Sequence, residues 1–318
     1  MMNTLMPFRK FEAEFLRLVH TNDLLGAVDW LRLGGGQYPE KAALLFFWRA
    51  CMAALMEKPD EAIEILQQGI EFGYWWSESL LCGDDDLASL QNRSDFSALL
   101  PLCRERKQQA EASQPAEVLV YAPASDFPTP IMIVLHGWTG NAETSVEPFL
   151  HLPETGWLLA AIQSSQLTYP GGHCWDDRNR ARQDILDMWD ALNQNHLIDP
   201  SRIVVAGFSQ GGGLAVEISL NQIIPARGVL AIAPYLQISD DLSNPGSSKQ
   251  PLSGLRAYLM TGELDENQPT FKKIEEWLRS CQVPCHREQI IGMAHEFPAD
   301  FPSQLDRALS FLQNGWLK

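Results

Sequence analysis

The sequence predicts two architectures in one chain. Residues 1–112 read as an all-helical half, and residues 116–318 as an α/β half with a mostly parallel sheet covered by helices on both faces. Three observations lead there. Apolar residues recur at three- and four-residue steps up to about residue 112. A polar stretch, Arg104 to Pro115, then interrupts the rhythm. Beyond it, short runs rich in branched residues alternate with longer helical segments, and several runs end in glycine-bearing loops.

In the helical half, Phe11, Phe15, Leu18 and Val19 mark one apolar stripe, and Ala50, Ala53 and Ala54 another. Pro59-Asp60-Glu61 opens a further helix with a proline and acidic residues in its first turn. A weak internal repeat of 35 residues pairs Phe11 with Phe46, Phe15 with Ala50, Ala27 with Ala62, Leu31 with Leu66 and Gly34 with Gly69. A period of this size is the mark of stacked helix–turn–helix units. Ala50, Ala62, Leu66 and Gly69 give the segment Ala42 to Gly73 a resemblance to a tetratricopeptide (TPR) repeat, from which Arg49 and Tyr74 depart. Such a TPR-like half offers a concave surface for a protein partner or for self-association; an unrelated helical bundle is the other reading. Asp84-Asp85-Asp86 reads as a solvated turn or helix start rather than a metal site.

In the second half the strand candidates are Val118–Tyr121, Ile131–Leu135, Leu158–Ile162, Ile203–Ala206, Val229–Ile232, Ala257–Met260 and Glu288–Ile291. The helix candidates are Arg178–Asn195, Gly211–Asn221, Thr270–Cys281 and Pro302–Asn314.

Composition narrows the function. The chain has 318 residues, 45% hydrophobic and 20% charged, which is globular usage and enough for an enzyme-sized core. Its formal charge of −16 disfavours a nucleic-acid binder, which needs a basic phosphate-facing surface, and disfavours docking on anionic lipid. The start MMNTLMPFRKF lacks the apolar core of a secretory signal, and no apolar run is long enough to span a membrane. Six cysteines in such a chain read as reduced thiols, and Cys281 and Cys285 lack a second pair at zinc-ribbon spacing. A cytoplasmic protein is expected.

The chemistry is written at strand ends. Ile203-Val204-Val205-Ala206-Gly207-Phe208-Ser209-Gln210-Gly211-Gly212-Gly213 is a strand, then Gly-x-Ser-x-Gly, then a helix start. A serine hydroxyl is a nucleophile only when exposed, oriented and paired with a base. A tight strand-to-helix turn exposes Ser209, and glycines keep its neighbours out of the way. His136-Gly137-Trp138-Thr139-Gly140 directly follows another strand. Acyl transfer needs two donors aimed at an oxyanion; the backbone N–H groups of Gln210 and Trp138 are the candidates, with Gly137 against the substrate. His136 reads as structural, bonding loop backbone. A third strand ends in Gly262-Glu263-Leu264-Asp265, and the last runs into Gly292-Met293-Ala294-His295-Glu296-Phe297. His295 can take the Ser209 proton, and Asp265 can hold the imidazole tautomer. Asp240, Asp241 and Glu263 are rival carboxylates. His295-Glu296 fails as a zinc His-Glu-x-x-His motif because Ala299 holds the last position.

Those four segments, with Ser209, Asp265 and His295 following one another along the chain, give residues 116 to 318 a resemblance to the α/β-hydrolase superfamily, in particular to its phospholipase/carboxylesterase and dienelactone-hydrolase-like serine esterases. The resemblance implies an α/β-hydrolase fold and hydrolysis of carboxylic esters or thioesters through an acyl-enzyme, with catalytic Ser209, Asp265 and His295 and no cofactor. Prolyl-oligopeptidase-like peptidases share the order, and a non-catalytic scaffold acting through the helical half is the third reading. In Gly171-Gly172-His173-Cys174-Trp175-Asp176-Asp177, Trp175 either walls an acyl pocket or packs internally; Asp176 anchors the loop, or Asp176 or Asp177 caps the next helix. Cys174 follows no glycine-turned strand end and is set aside as a nucleophile. Tyr235 to Leu255 reads as a surface insertion suited to part of a lid. The expected partner is a small-molecule ester.

Overall fold

In the computed structural model, which describes residues 6–236, 252, 254–314 and 316, the helical rhythm becomes seven α-helices. They are α1 (Phe8–His20), α2 (Leu24–Gly34), α3 (Ala42–Leu55), α4 (Pro59–Glu71), α5 (Glu78–Gly83), α6 (Ser94–Ser97) and α7 (Leu100–Glu111). Local chemistry sets several starts. The Asp23 side chain accepts from the Gly26 N–H at 3.0 Å and caps α2. Pro59 occupies the first turn of α4 with Asp60 and Glu61 beside it. The Asp84 carboxylate accepts from the Asp86 N–H and opens a short 3-10 turn.

The 35-residue repeat has a physical counterpart. Phe11 lies over Gly34 so closely that a Cβ there would come within 2.3 Å of its ring. In the second repeat Phe46 and Trp76 cover Gly69, where a Cβ would come within 2.5 Å of the Trp76 ring. Ala27 and Ala62 are each fully buried. Both repeats thus use an aromatic ring on glycine to bring two helices together.

The helical unit is not one stretch of chain. It comprises Met1–Gln114 together with Leu167–Gly172, whereas the sequence reading gave all of 116–318 to the second half. Hydrogen bonding explains the assignment. The Ser77 N–H donates to the Thr168 carbonyl at 2.6 Å, and the Leu167 N–H to the Glu111 carboxylate at 2.8 Å. These are pairings that no local pattern encodes.

The second unit, Pro115–Gln166 with His173–Lys318, is built on a seven-stranded sheet. Its strands are β1 (Glu117–Tyr121), β2 (Thr129–Leu135), β3 (Leu158–Gln163), β6 (Ile198–Phe208), β7 (Gly228–Ile232), β8 (Arg256–Gly262) and β9 (Cys285–Ile290). The short strands β4 (Leu167–Tyr169) and β5 (Gly172–His173), absent from the sequence reading, pair apart from it. The order is β1-β3-β2-β6-β7-β8-β9, parallel throughout except for antiparallel β1 at the edge. Strand β2 shows why the sheet is covered twice. Ile131, Ile133 and Leu135 face one core with α9 (Arg178–Asn195), α10 (Gln210–Leu220) and α11 (Gln268–Ser280). Met132 and Val134 face the other, with α8 (Ala142–Val146) and α12 (Phe301–Leu312). This is an α/β-hydrolase fold with an N-terminal helical region. No described helix is long and apolar enough to cross a membrane, and all six cysteines are free thiols. Most of the insertion between Tyr235 and Leu255, with the rival carboxylates Asp240 and Asp241, lies outside the described residues.

Because the rings over Gly34 and Gly69 are rigid and buried, Gly34→Ala and Gly69→Ala each should destabilise the protein by about 1–3 kcal/mol, the usual cost of overpacking. Gly36→Ala, whose Cβ would meet nothing within 4 Å, should leave stability within about 0.5 kcal/mol. Urea denaturation of the three variants checks the contrast.

Candidate active site

Parallel strands align their C-terminal ends, and the candidate residues follow four of those ends. Ser209 sits between β6 and α10 with φ 53° and ψ −121°, a backbone state that costs a non-glycine residue on the order of 1–3 kcal/mol. The surroundings impose it. The Ser209 N–H donates to the Ile232 carbonyl at 2.9 Å, and the Ser209 carbonyl accepts from the Gly213 and Tyr235 N–H groups at 3.0 and 2.9 Å. A Cβ at Gly207 would lie 2.3 Å from the Gly211 carbonyl oxygen, and one at Gly211 2.4 Å from the Leu135 and His136 oxygens. Only glycine permits this turn to close.

The Ser209 hydroxyl lies 2.8 Å from His295 Nε2. His295 Nδ1 is 3.1 Å from both carboxylate oxygens of Asp265, whose side chain is 1% exposed. Burial by itself would raise the Asp265 carboxyl, but hydrogen bonds from His295 and from the Asn267 backbone and side chain outweigh it, so its pKa lies below the ordinary value. Asp265 therefore stands as a carboxylate facing the imidazole. Glu263, the described rival, is exposed and accepts from the Gly292 N–H instead.

The loop after β2 runs beside the nucleophile. A Cβ on Gly137 would sit 3.5 Å from Ser209 Cβ. Trp138 is half-buried in this loop. Gln210 begins α10, where helix geometry leaves its N–H without an intrahelical acceptor. His136 is fully buried, and burial pushes its pKa down to about 3. Its ring donates from Nδ1 to the Gly137 carbonyl at 2.9 Å and accepts the Ser164 N–H on Nε2 at 3.2 Å. A neutral imidazole with this tautomer braces the loop.

Trp175, offered by the sequence as a pocket wall, exposes no surface. It stacks on the His136 ring at 4.6 Å, and its indole N–H donates to the His136 carbonyl at 2.9 Å. The ring is core, which removes the wall reading. Asp176 receives the Gln210 side-chain amide at 2.9 Å, and Asp177 caps α9 by accepting from the Asn179 and Arg180 N–H groups.

Residues 120–314 match the phospholipase/carboxylesterase family, and residues 8–111 match the A/B hydrolase-like N-terminal domain. The chain belongs to the phospholipase/carboxylesterase family. It is a hydrolase. It is 25% identical over 180 residues to chlorophyllase-2 of Arabidopsis thaliana; the match covers 55% of this chain and 53% of that one, so the chain spans about half the length of this relative. An uncharacterized protein from Bacillus cereus ATCC 10987 has a similar structure over 97% of this chain and 99% of its own, with a TM-score of 0.54 and 22% identity. The dienelactone-hydrolase-like promiscuous phosphotriesterase P91 from metagenomic libraries covers 64% of this chain and 94% of its own, with a TM-score of 0.53 and 14% identity. At these identities the two structures share a fold with this family member.

Two contributors escaped the sequence reading. Gln210 entered it only for its backbone, yet its side chain also accepts the Trp175 N–H at 2.8 Å and so ties the serine turn to the loop before α9. Asn267 donates its backbone N–H to Asp265 at 2.9 Å. Its position two residues after an Asp in a turn is the available signal. Among the described residues, Cys51, Asp84 and Asp86 of the helical unit bring potential metal-ligand atoms within 4.8 Å of one another.

The neutral His136 makes an acid-sensitivity test. A histidine whose folded pKa is depressed binds fewer protons than the unfolded chain, so its burial costs stability as pH falls from about 6.5 toward the folded value. Between pH 6.5 and 4, urea midpoints should fall more steeply for the wild type than for His136→Asn, which keeps a donor and an acceptor but does not titrate. Equal slopes would show that His136 does not set the acid limit.

Proposed function

We propose that this family member is a serine hydrolase that cleaves carboxylic esters or thioesters through an acyl-enzyme, with Ser209, His295 and Asp265 as its triad. The observation that carries the reading is the hydrogen-bonded line from the Ser209 hydroxyl through His295 to the buried Asp265 carboxylate, at 2.8 and 3.1 Å. Family membership supports it.

The geometry then has a direct chemical use. Ser209 Oγ attacks the substrate carbonyl while its proton passes to His295 Nε2. Asp265 accepts the Nδ1–H hydrogen bond, which fixes the tautomer and stabilises the imidazolium. Negative charge builds on the former carbonyl oxygen, where the N–H groups of Gln210 and Trp138 are the proposed donors. As the tetrahedral species collapses, His295 returns the proton to the leaving alkoxide or thiolate. Water, deprotonated by the same nitrogen, attacks the acyl-serine and releases the carboxylic acid. In the same proposal Gly137 borders the substrate, since a side chain there would press on Phe208 and Ser209. The soluble, cytoplasmic setting and the small-molecule ester partner belong to this reading.

Ser209→Ala should lower turnover of a p-nitrophenyl ester by about 10⁶, the loss seen when a comparable serine hydrolase is deprived of its nucleophile. A fluorophosphonate should label the wild type at Ser209 and leave the variant unlabelled. A folded wild type that takes no adduct would turn the assignment toward a scaffold.

Asp265→Asn should keep the fold and lower turnover by about 10⁴, because an amide holds the wrong imidazole tautomer.

A further inference from the structure

The helical unit contains a cavity of about 770 Å³ between α2, α3 and α4, in the size range of small-molecule sites. Val28, Leu31, Leu45, Met56 and Ile65 make its wall largely apolar. Leu25 at its edge is 68% exposed, a large apolar side chain left in water. Four charged side chains also line it: Arg32, Arg49, Lys58 and Glu61. Three are already neutralised. Arg32 pairs with Asp29 at 3.1 Å, and Lys58 pairs with Glu61 at 3.3 Å.

Arg49 is different. It is the sole charged residue of α3, a helix otherwise made of Ala, Leu, Phe, Trp, Cys and Met. It is also the position where the chain departs from the apolar residue expected of its repeat. Among the described residues no carboxylate pairs with it; it is exposed, and its guanidinium stands 5.2 Å over the Phe46 ring. In a chain of net charge −16, an unneutralised cation on an apolar wall is a local reversal of sign.

We infer that this cavity binds a small amphipathic carboxylate, its head on Arg49 and its hydrocarbon body among Val28, Leu31, Leu45 and Ile65. A single guanidinium matches a planar carboxylate with two parallel hydrogen bonds, whereas an alkyl phosphate calls for more positive charge than one residue supplies. An apolar body without a charged head would leave Arg49 unused. The inference stands on the helical unit alone and needs no assumption about Ser209, although ester hydrolysis releases acids of the same chemical class.

The test uses the full chain and a dansyl-labelled undecanoic acid as probe. Saturable binding is expected, with displacement by laurate about tenfold stronger than by dodecanol. Arg49→Gln should weaken probe binding about tenfold while leaving turnover of a small ester unchanged. Ala53→Leu, which grows into the cavity wall, should weaken it as well, with circular dichroism confirming the fold. Treating the wild type with a fluorophosphonate should not change probe affinity. Equal displacement by laurate and dodecanol, unchanged affinity in Arg49→Gln, or loss of binding after fluorophosphonate treatment would each overturn the inference. Displacement by an apolar peptide ending in a free carboxylate at the same concentration as laurate would overturn it too, and would make the cavity a peptide site.

Discussion

The C-terminal edge of the sheet depends on how closely the first turn of α10 approaches the end of β2. The backbone at Gly211 lies where any Cβ would be 2.4 Å from the carbonyl oxygens of Leu135 and His136. That contact draws the helix start up to the loop that contains Gly137 and Trp138. The same His136 carbonyl receives the Trp175 indole, and the Trp175 backbone N–H returns to the Gln210 side chain. Two strand ends, one helix start and the loop before α9 are thereby held together by groups without net charge. A strained serine survives because its surroundings over-determine it. The proposed nucleophile is thus placed by backbone contacts, and its chemistry is added by side chains that arrive from β8 and β9.

Burial treats the ionisable groups of this region in opposite ways. His136 is surrounded by a carbonyl, an amide N–H and the Trp175 ring, with no carboxylate bonded to it, and it is kept neutral. Asp265 is equally hidden from water but is met by donors from His295 and Asn267, and it is kept charged. The difference lies in what each buried group faces rather than in how deeply it is buried. A histidine that braces a loop and a carboxylate that faces another histidine are separated by that choice of neighbours.

Much of this was legible in the sequence because the signals are local. Branched runs such as Ile131–Leu135 mark strands buried on both faces, and the glycines around Ser209 announce a turn too tight for side chains. The order of Ser, Asp and His at successive strand ends was equally readable. Three features were not. The antiparallel pairing of β1 depends on its partner, and Glu117–Tyr121 alone has the same alternation in either direction. Trp175 could wall a cavity or fill a core, because an indole suits both, and only its fully buried position decides between them. The Gln210 side chain meets partners 34 and 35 residues away, a distance at which no local pattern reports.

The least local feature is the short excursion Leu167–Gly172. Its sequence, apolar and aromatic and then glycine, reads as an ordinary loop of the α/β half. Its backbone nevertheless bonds to Ser77 and Glu111, so the helical unit is closed by a segment that the chain delivers later. Removing residues 1–114 would leave the Thr168 carbonyl without the Ser77 donor and the Leu167 N–H without its carboxylate. Thr168 is itself fully buried, so the loss exposes backbone groups that are now satisfied. A boundary drawn between residues 112 and 116 therefore separates two rhythms of sequence without separating two independent sets of hydrogen bonds. The proposed catalytic residues all lie on one side of that boundary, but the connection between β3 and α9, which leads directly to Trp175 and Asp176, takes part of its structure from the other.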